Sequence, residues 1–457
     1  MAAIALTKIS ELTEDIRLDP EFYQPKYLES DKVMSKIGGK RLGEIADIVY
    51  GTTPEGGIFE ESGIPFLRSQ DFSNHIVASD YVFCSRNFHL EHLNSKCVAA
   101  DILFAAIGAT IGDFAIVPPW IKEANTNQNI ARVRIKDSKF VPEYIWAFFL
   151  TQYGQFQLQR YPTGNAQPYL NTFQFKRFNI PYLEGQEKFI KITQEIFEAI
   201  DKANRLYPEA EQELLERMGW DKVKTNHILS YGVTSKDVLR DERLDPEFYQ
   251  PKFENLEKHF KILGAMKIGA ICSFVNHGIQ PPYFEDGEIA VITQKEMTPT
   301  FLELGSIKDF TNESFYADNS YFQLKKRDVL LYSVGAYIGR CNILLDELKA
   351  MAGSFITILR ADEEMVVPEY LSLFLNSQAG VMQSKQRMRG TAQHYLYPRD
   401  IKEISVFIPR DKSGKPDLAW QKKLADKIIA AYEAKKSAKQ KLEEAKRLVE
   451  TEIEKLL

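Results

Sequence analysis

The sequence predicts an α/β (α+β) fold: two globular heads separated by two long helices that form an antiparallel coiled coil, with an internal pseudo-two-fold repeat. Three observations lead there. The decapeptide RLDPEFYQPK occurs twice, at Arg17 to Lys26 and at Arg243 to Lys252, an offset of 226 in a chain of 457 residues. The offset persists far downstream: Val141-Pro142-Glu143-Tyr144 is matched by Val367-Pro368-Glu369-Tyr370, and Gly164-Asn165-Ala166-Gln167-Pro168-Tyr169-Leu170 by Gly390-Thr391-Ala392-Gln393-His394-Tyr395-Leu396. The apolar spacing then changes, near Gln186 and again near residue 418, to a three-four periodicity sustained over several heptads. A period this long is domain duplication, since solenoid repeats run to roughly 20–50 residues.

The elements follow in order. Asp19-Pro20 and Asp245-Pro246 read as a cap and first-turn proline opening a short helix in each copy. Strands are expected at Ala46 to Tyr50, Ile64 to Arg68, Asp101 to Ala106, Phe114 to Val117 and Ile130 to Ile135, with Ile289 to Thr293 and Phe355 to Arg360 among their counterparts. Gly51 to Pro54 and Gly278 to Pro282 punctuate them as turns. Pro142 to Gln152 and Pro368 to Gln378 read as helices with aromatic and leucine faces.

Two long helices complete the units. In the first, Phe189, Ile192, Ile196, Ala199 or Ile200, Ala203, Leu206, Ala210 and Leu214 form a seam, and Pro208 is expected to kink or restart it. In the second, Leu424, Ile428, Ala431, Ala438, Leu442, Ala445, Val449 and Leu456 take the seam positions, interrupted by Lys435 and Glu452. Roughly 32 and 38 residues give rods of about 48 and 57 Å. Helices so rich in Lys and Glu are poorly buried alone, so they pair. The expected organisation is a head at 1–185, a helix at 186–226, a second head at 227–417 and a helix at 418–457.

Composition narrows the class. With 44% hydrophobic and 26% charged residues and no apolar run of roughly 20, the chain reads as globular with no membrane partner. The N-terminus lacks the pattern of a secretory signal, and four cysteines without a close pair point to reduced thiols and a cytoplasmic address. A net charge of −5 argues weakly against nucleic-acid binding, because a basic groove can sit on an acidic molecule or be completed by a partner.

The order of head, long helix, head, long helix, each head opening on RLDPEFYQP, carrying Ala100-Asp101-Ile102-Leu103-Phe104 or Arg327-Asp328-Val329-Leu330-Leu331 and a Gly-x-Ala-Gln loop, resembles the DNA-specificity subunit of type I restriction-modification systems. The resemblance covers the whole chain. It implies two target-recognition domains on double-stranded DNA, each reading half of a bipartite sequence, and helices that set the gap and dock two methyltransferase subunits. It further implies no cofactor on this chain, S-adenosylmethionine being carried by the methyltransferase partner, with restriction/translocase subunits completing the complex. The chain itself is then no enzyme.

Base readers need forked donors and acceptors in loops. The best loops, Arg160 to Tyr169 and Arg387 to Tyr395, offer Arg160, Asn165 and Gln167 in one copy and Arg387, Arg389, Thr391, Gln393 and His394 in the other. Gln167 and Gln393, identical in both copies, suit scaffold or phosphate contact; Asn165 and His394 differ and suit readout. A second pair of loops presents Arg68 and Gln70 against Gln294 and Lys295.

Rival chemistry is weaker. Gln280-Pro281-Pro282-Tyr283 echoes the tetrapeptide of amino-methyltransferases but begins with Gln, and no Gly-rich donor loop accompanies it; Ile107 to Gly112 lacks the GxGxxG spacing. Pro416-Asp417 with Glu433-Ala434-Lys435 matches a nuclease pattern formally, on coiled-coil positions. Cys84, His89, His92 and Cys97 have spacings that could converge on zinc, yet the second copy has no such set, so buried thiols and surface histidines are the simpler expectation. A single-chain methyltransferase or nuclease and a coiled-coil adaptor without a DNA role are the remaining alternatives.

Overall fold

The computed structural model describes residues 19–78, 81–164, 168–390 and 393–457. The chain divides into two units, one comprising 1–200 with 436–457 and the other 201–435. Both long helices therefore contribute to both units.

In the first unit Pro20–Tyr23 forms a 3-10 turn and Pro25–Ile37 the helix after it, ended by Gly38 at φ 76°. The main sheet has six strands in the order Ala46–Tyr50, Ile130–Ile135, Ile102–Ala105, Phe114–Ile116, Ile76–Val77, Phe72–Ser73. Ile130–Ile135 lies inside the sheet, pairs antiparallel on both edges and buries four of its six residues, Arg132 among them. A smaller sheet joins Val82–Cys84, Ile64–Leu67 and Asn125–Thr126. Pro142–Leu150 packs on this framework with Tyr144 to Phe149 all buried, so this helix is apolar on every side.

The second unit repeats the plan with a shorter main sheet. Its four strands run Cys272–His277, Ile356–Ala361, Val329–Tyr332, Cys341–Ile343, and a three-stranded sheet joins Phe310–Thr311, Ile289–Ile292 and Ala350–Ala352. The hairpin that extends the first unit's sheet, Phe72–Ser73 with Ile76–Val77, has no partner strands here among the described residues. Pro246–Tyr249 is again a 3-10 turn, capped by Asp245 on the Phe248 amide (3.0 Å), and Pro251–Leu263 follows it. In both copies the opening is thus two elements where the sequence suggests one short helix.

The long helices are Glu187–Met218 and Leu418–Lys455. Within the first unit Phe189, Ile192 and Ile196 share a core with Ala438, Leu442, Ala445, Val449 and Ile453. Lys188 pairs with Glu452 at 3.1 Å and Glu195 with Lys441 at 2.7 Å. Within the second, Lys427 reaches Glu209 and Glu213, and Arg217 pairs with Asp417 at 2.8 Å. In each unit the partners rise along one helix as they fall along the other, so the segments are antiparallel. Pro208 does not restart the first helix: one element runs through it, at the cost of the bond its missing N–H would give. Leu456, expected in the seam, is 50% exposed; Ile453, one turn earlier, is the buried residue.

Candidate nucleic-acid interface

The frame that holds the candidate loops is built twice from the same bonds. Gln157 clamps Asn179 through both its amide N–H and its carbonyl (3.0 and 2.6 Å), and Gln383 clamps Ser405 in the same way (2.8 and 2.8 Å). Tyr144 donates to the Pro181 carbonyl at 2.7 Å, Tyr370 to that of Phe407 at 2.6 Å. Arg134 forks onto buried Asp101, Arg360 onto buried Asp328. Each pair is related by the repeat offset of 226, save that Asp101 and Asp328 are 227 apart. These groups are buried or half-buried, so their loss leaves desolvated partners and disturbs everything above them.

On this frame sit two small closed loops. Thr163 and Tyr169 exchange backbone hydrogen bonds (2.9 and 2.8 Å), as do Arg389 and Tyr395 (2.8 and 2.8 Å). Leu170 N–H then bonds Ala106, and Leu396 N–H bonds Ser333, fixing each loop beside a glycine turn. Gly390, at φ 95°, could not carry a side chain: a Cβ there would lie 2.2 Å from the Gln393 carbonyl oxygen. Gly51 and Gly278 are likewise demanded by close approach, to the carbonyls of Thr126 and Ala352.

Hydrogen bonds join the surrounding loops into one rim per head. In the second head Gln280 accepts from Ser354 (3.1 Å), Ser333 N–H bonds Phe355, Gln294 donates to Val334 (3.3 Å), and Gly335 N–H bonds His394. In the first, Thr52 N–H bonds Thr126, Thr126 donates to Leu67 just before Arg68, and Ala106 N–H bonds Asn129. The loops singled out in the sequence therefore adjoin one another within each head.

The arginines among the sequence candidates face inward. Arg160 is 6% exposed; it donates to the Phe22 carbonyl (2.8 Å) and to Asp31, and lies 4.1 Å above the Phe22 ring. These contacts tie it to the opening segment. Arg389 forks onto Asp400 (2.9 and 3.0 Å), and the Asp400 carboxylate beside it raises the guanidinium's pKa; the equivalent pair in the first head is Thr163 with Gln174. Arg68 forks onto buried Asp71. Arg387 donates to Gln386 and to the carbonyls of Gln383 and Glu403. These ties share a cause: a guanidinium near a desolvated carboxylate or carbonyl is worth more as an internal tie than in water.

Gln70, Lys295, Gln393 and His394 are exposed. Lys295 pairs with Asp309 at 2.9 Å, an interaction that raises its pKa. Gln393 accepts from the Tyr395 hydroxyl (2.8 Å) and His394 Nδ1 lies 2.9 Å from the Gly390 carbonyl. Asn165, Gln167 and Thr391 lie outside the described residues. Sequence reasoning missed the exposed aromatics of the rim: Tyr283, Tyr337 and Phe355 in the second head, with Tyr395 stacked on Tyr397 at 6.0 Å, and Tyr169 and Phe173 in the first. Arginines lie over several of them, Arg340 over Tyr337 and Arg177 over Phe173. Arg-aromatic pairs close to loop glycines are the signal that would have found them.

The possible zinc ligands are otherwise engaged. His89 Nδ1 meets Asn125 at 2.5 Å and its Nε2 meets Glu123 at 3.5 Å; His92 Nδ1 bonds the Phe88 carbonyl. Cys84 and Cys97 sit in separate apolar clusters, and burial pushes the Cys84 thiol up to about 11. Asp417 of the nuclease-like pattern caps the second long helix at the Trp420 amide.

Residues 34–213 match the family model of the type I restriction modification DNA specificity domain. That stretch of the chain is similar to the DNA-specificity domain of the family. The match falls on the first head and most of the helix after it, and the second half of the chain repeats the same frame. No curated protein matches. Solved structures that resemble the chain include the type I restriction-modification S subunit from M. genitalium (12% identity, TM-score 0.47, covering 92% of this chain and 96% of that one). The HsdS subunit from Thermoanaerobacter tengcongensis is another (16% identity, TM-score 0.28, 91% and 95%). The type IIG restriction endonuclease BpuSI is similar over a smaller part (11% identity, TM-score 0.30, 40% and 30%). No helix among the described residues is long and apolar enough to cross a membrane.

Proposed function

We propose that each head reads one half of a bipartite double-stranded DNA target, and that the two long helices set the gap between the half-sites and dock two methyltransferase subunits. The observation that carries this reading is a frame of identical hydrogen bonds under loops of different sequence: Gln157 and Gln383 make the same clamp, whereas Thr163-Gln174 and Arg389-Asp400 differ. One scaffold presenting two surfaces suits recognition of two different half-sites. S-adenosylmethionine then belongs to the methyltransferase partner, and restriction/translocase subunits complete the assembly.

The proposed readers are the exposed Gln70 in the first head and the exposed Lys295, Gln393 and His394, with half-buried Gln294, in the second; Asn165, Gln167 and Thr391, outside the described residues, are proposed with them from the sequence. The arginines at 68, 160, 387 and 389 hold the frame. With a net charge of −5, the chain gains most of its DNA affinity from partner subunits that neutralise phosphates. The test is methylation of duplexes in which each half-site and the gap are varied separately, using the chain reconstituted with its methyltransferase partner. Deleting one heptad, 438–444, shortens that helix by about 10 Å, near three base-pair steps. Methylation of the original spacing at an unchanged rate by the deletion mutant would refute the ruler.

A further inference from the structure

We propose that a cleft in the second head binds a small molecule carrying one anionic group, a carboxylate or a phosphate monoester, against Arg387. The cleft, about 800 Å³, is walled by the 232–261 and 383–405 stretches, and its volume falls in the range of small-molecule sites, roughly 300–1,000 Å³. Phe248, Tyr249 and Phe253 give it an aromatic wall.

Every cation of the wall but Arg387 lies within ion-pair distance of a carboxylate. Arg240 pairs with Asp237 and Asp241, Arg243 with Asp245, and Arg389 with Asp400. The lysines do the same, Lys258 with Glu254, Lys261 with Glu257 and, more loosely at 3.9 Å, Lys267 with Glu403. Arg387 has no carboxylate within ion-pair distance among the described residues; its bonds go to the Gln386 amide oxygen and to two backbone carbonyls. Burial lowers its pKa, and burial lowers that of Lys267 as well. Glu403, Glu257 and Asp400 act on Arg387 only through space, so a partly desolvated guanidinium without a directly bonded carboxylate gains when an anion arrives.

The first head supplies the contrast. The residue at the same offset is Tyr161, whose ring lies against Phe22 and Phe178 at 5.6 and 5.5 Å, and the preceding Arg160 is tied to Asp31. Where one copy fills the position with packed aromatic surface, the other places a guanidinium beside open space. The ligand is not the DNA backbone: six carboxylates in the wall, Asp237, Asp241, Glu254, Glu257, Asp400 and Glu403, oppose a polyanion, while a single charge meets a single guanidinium.

The experiment is isothermal titration of the full chain with phenyl phosphate, benzoate and inorganic phosphate, with benzamide as the uncharged control. The expectation is one saturable site per chain for phenyl phosphate or benzoate, no binding of benzamide, and a loss of about tenfold or more in affinity in Arg387→Gln with partial retention in Arg387→Lys. Preference between the two aromatic anions distinguishes phosphate from carboxylate. Should Arg387→Gln fail to fold, phenylglyoxal labelling of the unaltered chain decides: the ligand must slow modification at Arg387. Absence of saturable binding, equal binding of benzamide, affinity unchanged in Arg387→Gln, or no protection of Arg387 would each overturn the proposal.

Discussion

Replacing Arg160 by alanine separates anchoring from reading. The side chain makes one charge-assisted bond to the Phe22 carbonyl at 2.8 Å, a second contact to Asp31, and a cation-π contact at 4.1 Å. The carbonyl bond is worth about 1.5–3 kcal/mol and the ring contact about 0.5–1 kcal/mol. Asp31, 53% exposed, is rehydrated when its partner goes and adds little. Arg160→Ala therefore costs about 2–4 kcal/mol. With a urea dependence of about 3 kcal/mol per M, the unfolding midpoint of the first unit falls by about 1 M. The companion Gln386→Ala removes the equivalent bond from the second head, a neutral one to Phe248 at 3.2 Å, and costs about 1 kcal/mol. The assay is urea unfolding followed by fluorescence, with methylation rates measured below the transition on duplexes varied one base at a time. Anchoring predicts a shifted midpoint and an unchanged order of preference among the duplexes. An unchanged midpoint with discrimination lost at one base would refute the argument and return Arg160 to the readers.

The same panel of duplexes distinguishes the exposed loops: Gln393→Ala with His394→Ala relaxes one half-site and Gln70→Ala the other, each by about 1–3 kcal/mol at single positions, whereas Arg389→Ala breaks its pair with Asp400 and weakens all sequences alike. Ala100 sits at φ 67°, in the left-handed region, so Ala100→Gly raises stability by about 0.5–1 kcal/mol, seen as a higher urea midpoint; a lower one would show that the strain is not there. Burial pushes the Cys84 thiol up to about 11 and those of Cys272 and Cys341 up to about 12 from the ordinary 9.0. Their native labelling by a thiol reagent at pH 8 is slow and becomes fast in denaturant. The unfolded thiols ionise first, so stability declines as pH rises through about 9 to 12, and a rise over that range would contradict the assignment.

The frame was legible because its signals are local. Ala46–Tyr50 and Ile130–Ile135 are short stretches rich in β-branched residues, and Pro142–Leu150 opens on a proline and carries six buried residues in succession. The Phe72–Val77 hairpin escaped notice because two-residue strands have no period to detect. The reader assignment was less legible, since the fate of an arginine depends on how the chain folds around it: Asp31 lies 129 positions from Arg160, whereas Asp71 lies three from Arg68 and Asp400 eleven from Arg389. A loop position and a forked donor are necessary for readout, yet they are equally what a buried tie requires. Burial decides between them, and burial is not written in the loop itself.

The hydrogen-bond pattern also explains how the two heads can differ in surface without differing in fold. Each loop is closed at its base by an exchange of backbone bonds, Thr163 with Tyr169 and Arg389 with Tyr395, and its downstream neighbour is fixed to the adjacent glycine turn. Backbone bonds are indifferent to side-chain identity, so the residues between them are free to vary at little cost to the core. The side chains beneath are not free in that sense. Thr163 with Gln174 and Arg389 with Asp400 are two solutions to one contact, and exchanging a single member would leave a carboxylate or a guanidinium without its partner in a half-buried place. Variation in the loops is therefore independent, residue by residue, while variation in the tie beneath them must come in pairs.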